Sequence, residues 1–462
     1  MVHLIVEITK YLMILLCAIY TYQCFAVFRK QDEDRQRKRF RKQSRILYLI
    51  HFMAYLVLYL VARDEKLVFL YFAQIILFVI IQNSYRLFYP KASRLVSNNM
   101  CMLLMVGFVI LARIDIDKAT KQFIIAAGSA ALCLIIPVMI RRMKFFRRLT
   151  WLYAVIGVAG LAVVWLAGST SYGAKISLNI AGISIQPSEF IKILFVFYVA
   201  AMFHVSTSFS QVLITSAVAA VHVLILVFSR DLGGALIFFM AYLVMLYVAT
   251  KKAGYLVAGL AAGSVASVVA YQLFSHVQKR VLAWRAPLSV IDDEGYQICQ
   301  SLFAIGTGGF FGMGLYQGMP KKIPKVMQDF IFSAIAEEMG LIFALCLILI
   351  CVSCLLMFFN IAMQLKDSFY KLVALGLGTI YGVQVFLTIG GVTKFIPSTG
   401  VTLPLVSYGG SSVLSTLITF GIIQGLYILR EDEGDARYDR EKGKRSGKTE
   451  FFGEEVEDFN RE

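Results

Sequence analysis

The chain has 462 residues, is 59% hydrophobic and carries a formal net charge of +16. That apolar share is far above what a water-soluble domain of this length uses, which excludes a soluble globular protein. The positive charge does not indicate nucleic acid, because Lys and Arg gather in short segments between apolar runs, the distribution that orients a membrane protein.

A bilayer core about 30 Å thick is crossed by roughly 20 helical residues. Thirteen apolar runs meet that length, starting near Leu4, Ile46, Leu67, Leu95, Phe123, Leu149, Phe190, Val212, Leu232, Ala253, Phe330, Leu372 and Pro404. Unpaired amides cost several kcal/mol each in lipid, and the runs lack strand-like alternation, so helices fit and a barrel does not. The fold class is therefore an all-α polytopic membrane protein. The first run has neither a basic leader nor an Ala-x-Ala-like cleavage site, so it reads as a retained helix.

Residues Arg29 to Arg45 carry nine Lys and Arg, and Arg141, Arg142, Lys144, Arg147 and Arg148 crowd a second connection. Both read as cytoplasmic. Alternation from an outside N-terminus puts 29–45, 85–94, 141–148, 250–252 and 363–371 inside. It puts 115–122, 169–189, 229–231, 275–329 and 392–403 outside, and only 275–329 is long enough to form a small structured element. Asn98, Asn99 and Arg113 interrupt the fourth run. Seven of the eight cysteines sit in apolar runs, leaving Cys299 in the long polar loop, with no disulfide framework or CxxC pair. The stretch from Arg430 to Glu462 has the mixed charge of a disordered cytoplasmic tail. No internal repeat is evident, which weakens an inverted-repeat transporter.

Ionisable residues at the edges of spans mark function, because charge there is costly unless paired or wet. Asp329 closes the long outer loop before the eleventh run, and Asp231 opens the ninth on the same face, so two acids can converge on one cavity. Either could instead cap a helix, and Asp231 could pair with Arg230. Glu189 and Lys192, three apart after Gln186-Pro187-Ser188, face one way as a structural ion pair or as a diphosphate site. Glu337 and Glu338 lie deeper in the eleventh run and suit buried hydrogen bonding between helices. The segment Pro397 to Ser412, rich in Gly, Pro and hydroxyls including Ser407 and Ser411, suits broken backbone lining a cavity or close helix packing. The five histidines show no ligand spacing, and no nucleotide loop or protein metal site emerges.

Taken in order, Gln186-Pro187-Ser188-Glu189 with Lys192, Asp231-Leu232-Gly233, Gly295-Tyr296-Gln297, Gly306 to Gly314, Asp329-Phe330-Ile331-Phe332-Ser333 and Leu403 to Ser412 resemble the SEDS family of RodA, FtsW and SpoVE. The resemblance covers about Leu95 to Leu429. It implies a ten-helix bundle over 95–429, here preceded by about three extra transmembrane helices in 1–94 and followed by the tail 430–462. It further implies a multi-pass enzyme of the bacterial cytoplasmic membrane, active on its outer side, that polymerises lipid II among membrane lipids beside a class B penicillin-binding protein. The family's presumed catalytic acid falls on Asp329, and its cavity residues fall on Glu189, Lys192 and Asp231, with Gln186, Ser407 and Ser411 in the same motifs.

On that reading a carboxylate, Asp329, deprotonates the attacking sugar hydroxyl, and Lys192, Arg280 or Lys325 meets the leaving diphosphate, alone or with a divalent Mg or Mn ion. Two departures stand out: Ser177 occupies the place of a family Trp, and Thr388 that of an Asn. The competing readings are a flippase for lipid-linked precursors and a non-catalytic scaffold for a penicillin-binding protein.

Overall fold

The computed structural model describes residues 2–29, 32–142, 144–171, 174–180 and 183–459. In chain order the helices are α1 (Val2–Ala26), α2 (Glu33–Ala62), α3 (Lys66–Phe88), α4 (Arg94–Ile114), α5 (Ile116–Cys133), α6 (Ile136–Arg142), α7 (Thr150–Ala167) and α8 (Ser188–Val205). They continue as α9 (Phe209–Phe228), α10 (Leu232–Thr250), α11 (Ala253–Leu273), α12 (Ser275–Arg285), α13 (Tyr296–Gly308), α14 (Ile331–Gln364), α15 (Ser368–Val392) and α16 (Gly410–Phe459). With α5 and α6 taken as one, and α12 and α13 set aside as short elements of the long loop, 13 helices are long and apolar enough to span a membrane. Between α7 and α8 run three short antiparallel strands, β1 (Ser169–Ser171), β2 (Ala174–Ile180) and β3 (Ile183–Ile185), in the order β1-β2-β3.

Two expectations change. The last helix starts at Gly410, not near Pro404, because Leu405 takes a left-handed conformation (φ 64°) and the preceding residues are tied to the 327–328 backbone. That helix runs on past the apolar stretch. Its first turns beyond the apolar stretch are held where Lys91 meets Asp432 (2.7 Å) and Asp435 (2.6 Å), and Arg141 meets Asp432 (2.7 Å). Cys299 is not in open loop but buried on α13.

The N-terminal helices explain the polar residues of α4. Helices α1, α2 and α3 pack around α4 and the adjoining face of α14, so nearly every residue of α4 is buried. In that setting Asn98 and Asn99 join helices. Asn99 accepts from Tyr20 Oη (3.0 Å) and donates to Ser353 Oγ (2.7 Å), while Asn98 donates to Gln43 Oε1 (3.0 Å). A hydrogen bond between helices satisfies polar groups that lipid would leave orphaned.

Helix α14 is interrupted at Gly340 (φ 85°, ψ 166°). The 309–314 segment repairs the break. Met313 N donates to Glu337 O (2.9 Å), Gly314 N to Glu338 O (2.8 Å) and Leu341 N to Gly309 O (2.9 Å). Backbone approaches backbone so closely that a Cβ on Gly312 would stand 2.4 Å from Glu338 O and one on Gly308 2.1 Å from Ala336 O, which is why these two positions are glycine. The acids beside the break are used structurally: Glu338 takes Arg113 of α4 at 2.9 Å, and Glu337 Oε1 accepts from Met319 N at 3.0 Å. The long loop is thereby fastened to the bundle on the C-terminal side of α13.

Candidate functional site

Pro187 and Ser188 open α8, since Pro has no amide to lose at a helix start. One turn in, Lys192 Nζ lies 2.7 Å from Glu189 Oε2 and 2.9 Å from Gln384 Oε1 of α15. Ser415 of α16 donates to Glu189 Oε2 at 2.8 Å. A buried ion pair is tolerated when further hydrogen bonds fill its remaining positions, and here two neighbouring helices supply them. Gln384 Nε2 reaches on to Thr402 O (3.1 Å), and Thr388 Oγ1 lies 3.0 Å from Val401 O, so the network also holds the 396–409 segment. Thr388, in place of the family's Asn, thus keeps a polar tie to that loop. Ser177, in place of the Trp, is buried in β2 against Ser169 (Oγ to Oγ 3.0 Å).

The 396–409 segment is stitched to the chain just before Asp329. Ser407 Oγ accepts from Leu403 N (2.8 Å) and donates to Gln328 O, and Tyr408 N donates to Met327 O (2.7 Å). Ser411 Oγ accepts from Gln186 N at 3.0 Å. Gln186, Ser407 and Ser411 therefore shape the site, with the two hydroxyls engaged inside the protein.

The two aspartates differ. Asp231 caps α10, accepting from Gly234 N at 2.8 Å. Asp329 caps nothing: the residue before α14 is Phe330, Asp329 is 7% exposed, and its Oδ1 has no hydrogen-bond partner. Arg280 of α12 comes in from the side, held by Ser398 O (3.2 Å). Gly400, at φ 75°, lies against both. A Cβ there would lie 3.9 Å from Asp329 Oδ2 and 4.0 Å from Arg280 Nη2. Gly233 makes room on the other side, beneath Thr399 and Val401.

These groups act as one electrostatic unit. Burial pushes the Asp329 carboxyl up to about 6, against the pull of Lys325 and Arg280. Burial also raises Asp231, with the Gly234 amide opposing, Glu189 adding to the rise, and Arg280 and Lys192 opposing it. Arg280 is lowered by burial while both aspartates hold it charged. A buried carboxyl titrating near neutrality, with one oxygen uncommitted beside a guanidinium, is equipped to accept a proton.

The structure brings together Glu189, Lys192, Asp231, Arg280, Lys325 and Asp329, from segments up to 140 residues apart. It adds Gln384, Ser415, Gly400 and the Ser398 carbonyl, which sequence reasoning did not single out. For Gln384 and Ser415 a signal existed, namely polar side chains inside apolar runs. Among the described residues no group of three or more His, Cys, Asp or Glu could hold a metal ion.

Comparison with known proteins agrees with this architecture. The family model described as "Cell cycle protein", covering FtsW, RodA and SpoVE, matches residues 93–431. The peptidoglycan glycosyltransferase RodA of Mycobacterium tuberculosis is 34% identical over 371 residues, covering 73% of this chain and 78% of that protein. The probable peptidoglycan glycosyltransferase FtsW of Geobacter sulfurreducens is 33% identical over 269 residues, covering 55% and 70%. Among solved structures, a chain of a peptidoglycan synthase complex that coordinates polymerization and crosslinking superposes with a TM-score of 0.62 at 23% identity, over 73% of this chain and 98% of that one. The rod shape determining protein RodA of Thermus thermophilus superposes with a TM-score of 0.54 at 22% identity, over 73% and 96%. The ordered motifs, the bundle they build and the family match over 93–431 together place this chain in the FtsW/RodA/SpoVE family.

Proposed function

We propose that this chain is a peptidoglycan glycosyltransferase that polymerises lipid II at the outer face of the bacterial cytoplasmic membrane, with Asp329 as its general base. The observation that carries the reading is the Asp329 carboxylate, buried and uncapped, with Arg280 and Gly400 against it. The names of its relatives supply the reaction class, and the basic connections 29–45 and 141–148 support the sidedness.

The acceptor's sugar hydroxyl oxygen attacks the anomeric carbon of the donor while Asp329 takes its proton. The bond to the undecaprenyl diphosphate breaks with inversion. General base help of this kind is worth about 10²–10⁴-fold. Arg280 is the diphosphate ligand the geometry favours, with Lys325 next, because Lys192 is committed to Glu189 and Gln384. A divalent ion arriving with the diphosphate would be held chiefly by its oxygens and water, with Asp231 as the protein ligand. Asp231, Glu189 and Lys192 set the field and hold the cavity wall. Lipid tails lie against the helices, and a class B penicillin-binding protein crosslinks the strands, in keeping with the synthase complex that this bundle resembles.

Alternating access by a flippase would call for ionisable groups near the midplane that both faces can reach. Here the deeper pair, Glu189 and Lys192, is closed off by Gln384 and Ser415. The test is polymerisation of purified lipid II by the detergent-solubilised chain, with and without class B partners, native against Asp329→Asn. Strands from the native chain and a loss of at least ~10²-fold in the variant are expected. Equal polymer from both would move the base elsewhere, and no polymer with any partner would favour a scaffold.

A further inference from the structure

The end of the bundle remote from Asp329 carries a second feature. Helix α4 runs 21 residues from Arg94 to Arg113 and Ile114, so its two ends are about 30 Å apart. Arg113 lies at the Glu338 end, beneath the long loop. At the Arg94 end, α2, α3 and α4 enclose a cavity of about 120 Å³. Its walls carry Arg41 from α2, Asn83 and Arg86 from α3, and Arg94, Ser97 and Asn98 from α4, and among the described residues no carboxylate lines it. On this measure a single water needs about 10–15 Å³, so that space takes a hydrated polar group rather than a single solvent molecule.

We propose that this cleft between the N-terminal helices and the core binds the phosphoryl headgroup of an anionic membrane lipid.

Three arginines converge without a counter-charge. Among the described residues Arg41, Arg86 and Arg94 make no ion pair, although acids are available at the same end of the molecule. Those acids are spoken for: Lys91 and Arg141 take Asp432 and Asp435, and Arg430 takes Glu431. Guanidinium groups offer paired donors that match phosphate oxygens, and like charges gathered on one polar cavity are stabilised by an anion. The cleft also sits at the start of α4, where the helix dipole favours negative charge.

The surrounding surface selects a lipid over a free anion. Asn83, Arg86 and Pro90 at the mouth are exposed. From there an apolar stripe runs along α3 through Leu87, Ile80, Ile76, Phe72 and Phe69, each more than half exposed. The i, i+3, i+4 spacing puts these side chains on one face, which only acyl chains or another apolar surface can cover. A headgroup among the arginines would lay its chains along that stripe. Anionic lipids at basic clefts between transmembrane helices follow the same physics. A bound headgroup would bridge α2, α3 and α4 and so hold the extension to the core.

The test uses the full chain, delipidated in neutral detergent. Cardiolipin, phosphatidylglycerol, phosphatidylcholine or inorganic phosphate is added, with thermal unfolding and native mass spectrometry as readouts. Cardiolipin and phosphatidylglycerol should raise the unfolding midpoint and remain as adducts, while phosphatidylcholine should do neither. Arg86→Gln with Arg94→Gln should weaken lipid binding by about tenfold or more per arginine, Lys at both positions should restore part of it, and Arg142→Gln should leave it intact. If the Gln pair does not fold, the Lys pair decides: retained charge with unchanged phosphatidylcholine discrimination supports the site. The proposal is overturned if phosphatidylcholine stabilises equally, if inorganic phosphate alone gives the full effect, or if the Gln pair binds cardiolipin as tightly as the native chain.

Discussion

Asp231 and Asp329 are the same residue type within reach of one arginine, and what each carboxylate touches separates their roles. Asp231 spends an oxygen on Gly234 N, while Asp329 leaves Oδ1 uncommitted in a buried place. With the Asp329 carboxyl held up to about 6, catalysis by its ionised form should fall as pH drops through about 6. The acidic limb of kcat/KM for lipid II polymerisation measures this, and a limb below about 4.5 would remove Asp329 as the base. Stability follows with the opposite sign. A carboxyl whose folded pKa is raised binds protons on folding, so the fold is favoured at low pH and loses that advantage as pH rises from about 4 to about 6. At about 1.36 kcal/mol per pH unit the full effect is roughly 3 kcal/mol. Asp329→Asn should therefore unfold at the same or a higher temperature than the native chain at pH 7 while losing activity, and a lower midpoint would show that the carboxylate supports the fold instead.

At the scale of elements, the break in α14 is the feature on which the site's geometry depends. Gly340 frees the carbonyls of Glu337 and Glu338, and the 309–314 segment uses them, so loop and helix hold each other. Gly312→Ala places a Cβ 2.4 Å from Glu338 O at φ 74°, and should cost about 3 kcal/mol or more, read as a fall in the unfolding midpoint. The Arg113 and Glu338 pair fastens α4 to α14 beside it, with side chains 10% and 1% exposed. Removing one partner of a buried pair typically costs about 3–5 kcal/mol. Arg113→Met and Glu338→Gln should each destabilise strongly, and the double variant should cost less than the two together; additive losses would mean that the pair does not couple. The glycines of 306–314 were visible in the sequence as a motif, whereas the purpose of Gly308 and Gly312, backbone lying on backbone, depends on a helix break that no local pattern announces. Likewise Glu337 and Glu338 read as acids needing partners, and only the packing named Met319 N and Arg113.

At the scale of the whole molecule, α4 is the most enclosed span because α2 and α3 cover one side and α5 and α14 the other, and the solved relatives, matched over 96–98% of their length, leave a quarter of this chain unmatched. Dividing the chain after Lys91 and expressing both parts together should restore a complex through Tyr20, Asn99, Gln43 and Asn98. Expressed alone, residues 92–462 should aggregate or unfold at a lower temperature; an unchanged midpoint would show that the extension contributes nothing to the core. The sequence by itself determined the thirteen spans, the membrane class and the order of the family motifs, because crossing a bilayer demands long apolar runs and the motifs are local strings of residues. It also marked Asp329, Asp231, Glu189 and Lys192, because charge at the edge of a span is costly enough to be conspicuous. Only the tertiary structure decided that Asp231 is a cap and Asp329 is not, that Gln384 and Ser415 complete the ion pair, that Gly400 lies against Asp329 and Arg280, and that Asn98 and Asn99 bind helices together. Those outcomes depend on which segments meet across hundreds of residues, and such meetings are set by packing rather than by any neighbouring residue in the chain.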